Sequence, residues 1–143
     1  MKLPVHIRRL HKDVPFPEFK TDGAIAFDIA IPKGGVIPPG ESVIFSTGLV
    51  VATPKGYGLI LASRSSNAKK GIVLTNGIGV IDQDYCGPED ELRLSLRNLN
   101  TEPYIVEDGE RLAQGIFFPV PEVTFEEVET LSAPNRGGFG TTG

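Results

Sequence analysis

An acid set at the end of an apolar run carries the most chemical potential in this 143-residue chain. Gly79-Val80-Ile81 leads directly into Asp82, and Tyr85 and Gly87 follow shortly after. A carboxylate delivered by a β segment is poorly solvated and held in place. That suits a general base, whose pKa is tuned by its surroundings. Asn76-Gly77 stands in front of this run as a hairpin signal, because both residues tolerate positive φ. The same stretch also reads as a plain hairpin with Asp82 as a turn residue.

Other chemistry-bearing groups are scattered along the chain. Asp28 interrupts the apolar run from Ala24 to Ile31, and an acid there is costly unless paired or hydrogen-bonded. It reads either as a surface-facing strand acid or as part of a phosphate–metal shell. Ser63-Arg64-Ser65-Ser66-Asn67-Ala68-Lys69-Lys70-Gly71 predicts the one short helix, with Ser63 or Ser65 as N-cap. Its hydroxyls, its arginine and the first backbone N–H groups would cradle an anion; the alternative is a solvated basic turn. Gln114 alone reads as a turn or edge residue. The tail from Asn135 is too glycine-rich to fold alone. It nevertheless holds Arg136, which can pair with phosphate, and Phe139, which can stack on a base.

The elements that must position these groups are strands. Val5–Leu10 and Leu92–Leu99 alternate, and Glu41–Ala52 and Tyr57–Ala62 are rich in β-branched and apolar residues. Seventeen glycines and twelve prolines are spread as punctuation, which predicts one all-β domain of short strands joined by turns. A net charge of −4 and a pI near 5.2 argue against a nucleic-acid binder, which needs a basic surface. The single cysteine, Cys86, rules out an internal disulfide, fits a reducing compartment and reads as structural or incidental. His6 and His11 are remote from other ligand types, so no zinc site is expected. No apolar stretch reaches the roughly 18 residues of a membrane span, so a cytoplasmic protein is expected. Pro88-Glu89-Asp90-Glu91 is expected to extend into solvent.

Five segments in order resemble the motifs of the trimeric dUTPases, which split dUTP into dUMP and pyrophosphate. Ala26-Phe27-Asp28-Ile29-Ala30 resembles the first, Arg64-Ser65 the second, Asn76 to Gly87 the third, Arg111-Leu112-Ala113-Gln114 the fourth, and Arg136-Gly137 with Phe139-Gly140-Thr141-Thr142-Gly143 the fifth. The second departs from the family's Pro-Arg-Ser-Gly-Leu-Ala, with Ser63, Ser66 and Asn67 replacing proline, glycine and leucine. The fifth has about two residues fewer between Arg136 and Phe139, which at about 3.3–3.6 Å per residue shortens the reach by up to roughly 7 Å. The loop at Pro88–Glu91 is about three residues longer than is common.

The resemblance implies a distorted jelly-roll-like β-barrel over residues 1–130, a C-terminal lid over 131–143, and a homotrimer with sites shared between subunits. It implies Asp82 as the general base and Mg²⁺ on the triphosphate, with Asp28 reaching the metal through water. Arg64, Ser65, Ser66, Gln114 and Arg136 would handle phosphates. Asn76, Gly79, Val80 and Ile81 would read uracil, with Arg93 nearby or merely an outward cation. Tyr85 would exclude ribose, and Phe139, Gly140 and Thr141 would close over the nucleotide. A related fold, the dCTP deaminases, uses a glutamate where this chain has Arg97. A fixed cation cannot serve as that base, so deamination is not expected. A regulatory protein that keeps the pocket and binds a partner through the acidic loop is the reading from another class.

Overall fold

The computed structural model describes residues 2–141. Among them the chain is almost all β: β1 (His6–Arg9), β2 (Phe27–Ile31), β3 (Gly35–Ile37), β4 (Ser42–Ser46), β5 (Leu49–Ala52), β6 (Tyr57–Ser63), a one-turn helix α1 (Asn67–Lys70), β7 (Ile72–Leu74), β8 (Gly79–Ile81), β9 (Arg93–Asn98), β10 (Tyr104–Val106) and β11 (Glu110–Pro119). They form four small sheets, ordered β2-β11-β6-β8, β4-β9-β7, β1-β5 and β10-β3. All the pairs are antiparallel. This is the jelly-roll-like architecture expected from the motifs.

Alternation builds the core. In β9, Leu94 and Leu96 point inward while Arg93 and Arg97 face solvent. They meet Leu59, Leu61, Ile31, Ile37, Ile72 and Leu112, all at most 2% exposed. Burying each such side chain contributes on the order of 1.5–3 kcal/mol before entropy is counted.

Glu41–Ala52, read as a strand with possible breaks, is two strands separated at Thr47-Gly48, and two other local expectations are corrected. Gly48 takes φ +66°, and a Cβ there would stand 2.4 Å from Val14 Cγ2. Asn76-Gly77 does not close a hairpin: β7 belongs to the β4-β9-β7 sheet and β8 to the β2-β11-β6-β8 sheet. Only Gly77 of the pair takes positive φ, and the dipeptide carries the chain around a corner between sheets. Helix α1 starts after Ser66, not Ser63 or Ser65, and Ser66 makes no side-chain cap bond.

Beyond β11 the chain runs out as an exposed, unpaired arm from Pro121. Val123, Phe125, Val128 and Leu131 stand in solvent on it. On the body, an apolar cavity of about 470 Å³ is lined by residues including Val5, Ile7, Phe16, Phe19 and Phe117.

Candidate active site

The central sheet assembles one cluster. In register, Asp28 of β2 sits beside Gln114 of β11, which sits beside Ala62 of β6. Asp28 is buried, 9% exposed, and Arg64, just past β6, places Nε 3.0 Å from its Oδ1. An acid in an apolar strand thus has the partner it requires. The same guanidinium donates through Nη1 to the Arg111 carbonyl at 3.0 Å.

That carbonyl is free because β11 bulges. Arg111 pairs with Ala30 and Ala113 with Ile29, leaving Leu112 as the extra residue. Asn67, only 1% exposed, donates Nδ2–H to the Leu112 carbonyl at 2.7 Å. Side chains of the serine-rich loop therefore cap both carbonyls at the bulge. Gln114 donates to the Ser63 carbonyl at 3.0 Å, and the Ser63 hydroxyl accepts from Leu74 N–H at 3.3 Å.

The loop's anion-binding capacity lies in its side chains. The N–H groups of Asn67 and Ala68 are spent on the carbonyls of Arg64 and Ser65. Ser65 is exposed, and the buried hydroxyl of Ser66 has no partner. Asp28 Oδ2 is also buried without a partner. A second trio braces the loop from behind. Lys70 Nζ lies 3.2 Å from Glu110 Oε1, and the Tyr104 hydroxyl donates to the same oxygen at 2.6 Å. Burial, then the Glu110 carboxylate, pushes the Tyr104 phenol well above its ordinary value of 10.0.

Asp82 belongs to a different place. Gly79, Val80 and Ile81 pair with Leu61, Ile60 and Leu59. Gly79 is buried, and a Cβ there would press Leu61 Cβ at 3.2 Å. Val80 is 68% exposed. Asp82 follows, in a 660 Å³ concavity with Tyr57, Gly58, Phe118 and Val120. Within the single chain Asp82 is exposed, contrary to the expected poor solvation. Tyr85 N–H closes a turn onto the Asp82 carbonyl at 3.2 Å. Asn76 is exposed at the corner.

The two groups lie at opposite ends of the sheet. Gln114 aligns with Ala62, whereas Ile81 aligns with Leu59 and so with Phe117. At about 3.3 Å per strand residue, Asp82 is displaced roughly 13 Å along the strands from Gln114. Arg136, Phe139, Gly140 and Thr141 join neither group. They lie on the exposed arm, where Gly137 and Gly140 take positive φ and Thr141 N–H donates to Gly138. Thr142 and Gly143 lie outside the described residues. Arg93 faces solvent, its Nε 3.5 Å from Glu91 Oε1.

Sequence reasoning missed two structural members, Asn67 and Glu91. Asn67 had a signal: it is polar where the resembled motif is apolar. Glu91 was expected in solvent with its neighbours but is buried, because Ser46 and Gly48, far away in sequence, donate to its carboxylate.

A family model described as dUTPase matches residues 12–143. A Hydrogenobaculum deoxyuridine 5′-triphosphate nucleotidohydrolase is 39% identical, the match covering 96% of each chain. The Psychromonas ingrahamii protein of the same name is 40% identical over 94% of this chain and 91% of its own. The dUTPase of Staphylococcus bacteriophage 80alpha with dUpNHpp superposes with a TM-score of 0.88 at 24% identity, over 99% of both chains. The chain belongs to the dUTPase family of enzymes.

Proposed function

We propose that the chain hydrolyses dUTP to dUMP and pyrophosphate, removing dUTP and supplying dUMP for thymidylate synthesis. Asp82 accepts a proton from water as its oxygen attacks the α-phosphorus. The new O–P bond forms as the bond to the β-phosphate oxygen breaks, and pyrophosphate leaves. A base of this kind contributes about 10²–10⁴-fold. Ser65, Ser66, Arg64 and Gln114 orient the phosphates, with Arg136 arriving on the tail. The corner at Asn76 and the strand Gly79-Val80-Ile81 read the uracil edge, with Arg93 at its margin. Tyr85 lies against the sugar where a 2′-hydroxyl would clash. Phe139, Gly140 and Thr141 belong to a lid, residues 131–143, that covers the base and excludes bulk water.

The observation that carries this reading is the split site. One chain presents the phosphate-handling groups and Asp82 at places roughly 13 Å apart along the strands, so a complete site needs two copies. The apolar arm and the apolar cavity supply the means, an exposed stripe and a groove to receive it. A homotrimer with shared sites satisfies both. The single exposed thiol of Cys86 fits a reducing, cytoplasmic setting.

Mg²⁺ fits this chain through water. Among the described residues, no cluster of three or more His, Cys, Asp or Glu offers direct ligation. The unpartnered Asp28 Oδ2 is an acceptor suited to a metal-bound water. When bound on the triphosphate, the ion supplies neutralisation of phosphate charge.

The test is pyrophosphate release from dUTP, UTP, dTTP and dCTP in parallel. Release from dUTP alone supports the reading. Binding of dUTP without release would favour a regulatory protein that retains the pocket, and ammonia from dCTP would overturn the argument from Arg97.

A further inference from the structure

The loop that follows Tyr85 is folded inward. Glu91 is 8% exposed, and its carboxylate is gripped by the turn between β4 and β5. The Ser46 hydroxyl donates to Oε2 at 2.5 Å, the Gly48 N–H donates to the same oxygen at 2.7 Å, and Arg93 Nε stands 3.5 Å from Oε1. Gly48 presents its N–H from a left-handed φ of +66°. The next residue joins the same turn, with Leu92 N–H donating to the Leu49 carbonyl at 2.8 Å.

The rest of the loop is tied down as well. Asp90 accepts the Gly87 N–H at 2.8 Å, Glu91 N–H donates to the Glu89 carbonyl at 2.9 Å, and the Arg8 guanidinium donates to the Pro88 carbonyl. One bond leaves this rigid knot toward the site. The Tyr85 hydroxyl donates to the Glu91 carbonyl at 2.9 Å.

We propose that Glu91 is a positioning residue for sugar discrimination: its buried carboxylate pegs the loop to the β4–β5 turn, and its carbonyl fixes the tip of the Tyr85 ring. The inference rests on the reading that Tyr85 faces the sugar. Excluding one hydroxyl by contact requires a wall that does not yield. Tyr85 is 38% exposed, so packing alone does not hold the ring. Without the tether it swings about its side-chain bonds and makes room for a 2′-oxygen.

The experiment measures kcat/KM for dUTP and UTP in the full chain and in Tyr85→Ala, Tyr85→Phe, Glu91→Ala, Glu91→Gln and Tyr85→Phe/Glu91→Ala. Thermal melts identify variants that fold. Tyr85→Phe removes the tether and keeps the ring. It should lower the dUTP-to-UTP ratio about five- to tenfold, the scale of one hydrogen bond, chiefly by raising kcat/KM for UTP. Glu91→Ala should do the same, and the double variant should be no worse than either. Glu91→Gln keeps an acceptor for Ser46 and Gly48 and should restore most of the ratio. A fall in both substrates together with an unchanged ratio, in Tyr85→Phe or in a folded Glu91→Ala, would overturn the proposal while leaving the site reading intact. An unchanged ratio in Tyr85→Ala would instead remove the reading of Tyr85 itself, and this proposal with it.

Discussion

Arg64 Nε stands 3.0 Å from Asp28 Oδ1, joining two segments 36 residues apart at the head of the central sheet. Removing one partner of a buried pair costs about 3–5 kcal/mol. Arg64 is 31% exposed, so solvent screening lowers the expectation to about 1–3 kcal/mol. Asp28→Asn should lose that much stability in urea titration, and Arg64→Met more, because it also leaves the Arg111 carbonyl without a donor. A double-mutant cycle with no coupling would reject the pairing as a source of stability.

The base assignment makes a sharper demand. Asp82→Asn should bind dUpNHpp about as tightly as the unmodified enzyme while turnover falls roughly 10²–10⁴-fold. Calorimetric titration and pyrophosphate release measure the two separately. Turnover within threefold of the unmodified enzyme would remove Asp82 from the chemistry.

Shared sites predict complementation. Asp82→Asn and Gln114→Ala chains, each deficient alone, should recover activity when denatured and refolded together. Sites that join a sound Asp82 from one chain to a sound Gln114 from another would arise in about a quarter of cases in a random two-chain mixture. If co-refolded activity equals the sum of the separate preparations, each chain builds its own site.

Alkaline titration should reveal the brace behind the serine-rich loop. The folded-state pKa of Tyr104 is raised, so the native chain holds that proton after the unfolded chain has lost it. Its contribution to stability is complete below about pH 10, the ordinary tyrosine value, and declines as the pH rises toward the folded value. Tyr104→Phe should therefore lose less stability between pH 9.5 and 11 than the parent, to be measured as the difference in melting temperature. Parallel curves would place the shift elsewhere.

Asn67 offers a test of the bulge. Asn67→Leu restores the residue type of the resembled motif but leaves the Leu112 carbonyl without its donor, a loss of about 1–3 kcal/mol. It also removes Asn67 Oδ1, which is buried without a partner, and that relief keeps the net change near the lower end. Chemical denaturation would settle the sign, and a stabilised variant would mean the unpartnered oxygen outweighs the bond.

Much of this was legible residue by residue. The alternation of Leu92 to Leu99 marked β9, and the need of Asp28 for a partner was plain from its apolar neighbours. The motif order located Arg64, Gln114 and Asp82. What escaped were relations between distant segments. Asn76-Gly77 carries the local chemistry of a hairpin, yet whether its flanking strands pair depends on which sheet each finds. Glu91 looked like one acid in a solvated run because Ser46 and Gly48, its partners, lie more than forty residues earlier. At the break, Gly48 takes a left-handed φ, and Val14, far away in sequence, leaves no room for a Cβ there. The exposure of Asp82 in the single chain is likewise not announced by the apolar run that leads into it.

The arm has a consequence for the life of the chain before assembly. Phe125 and Leu131 stand in water in the single chain; in the proposed homotrimer a second copy would cover them, and until then an extended segment carrying large apolar side chains is a template for aggregation. Glu122, Glu126, Glu127 and Glu129 are interleaved with them, four negative charges with no cation among residues 121–131. Two such arms would repel each other as strands, which is the pattern of gatekeeper acids flanking apolar residues. The −4 net charge of the protein is thus concentrated where premature self-association is most dangerous.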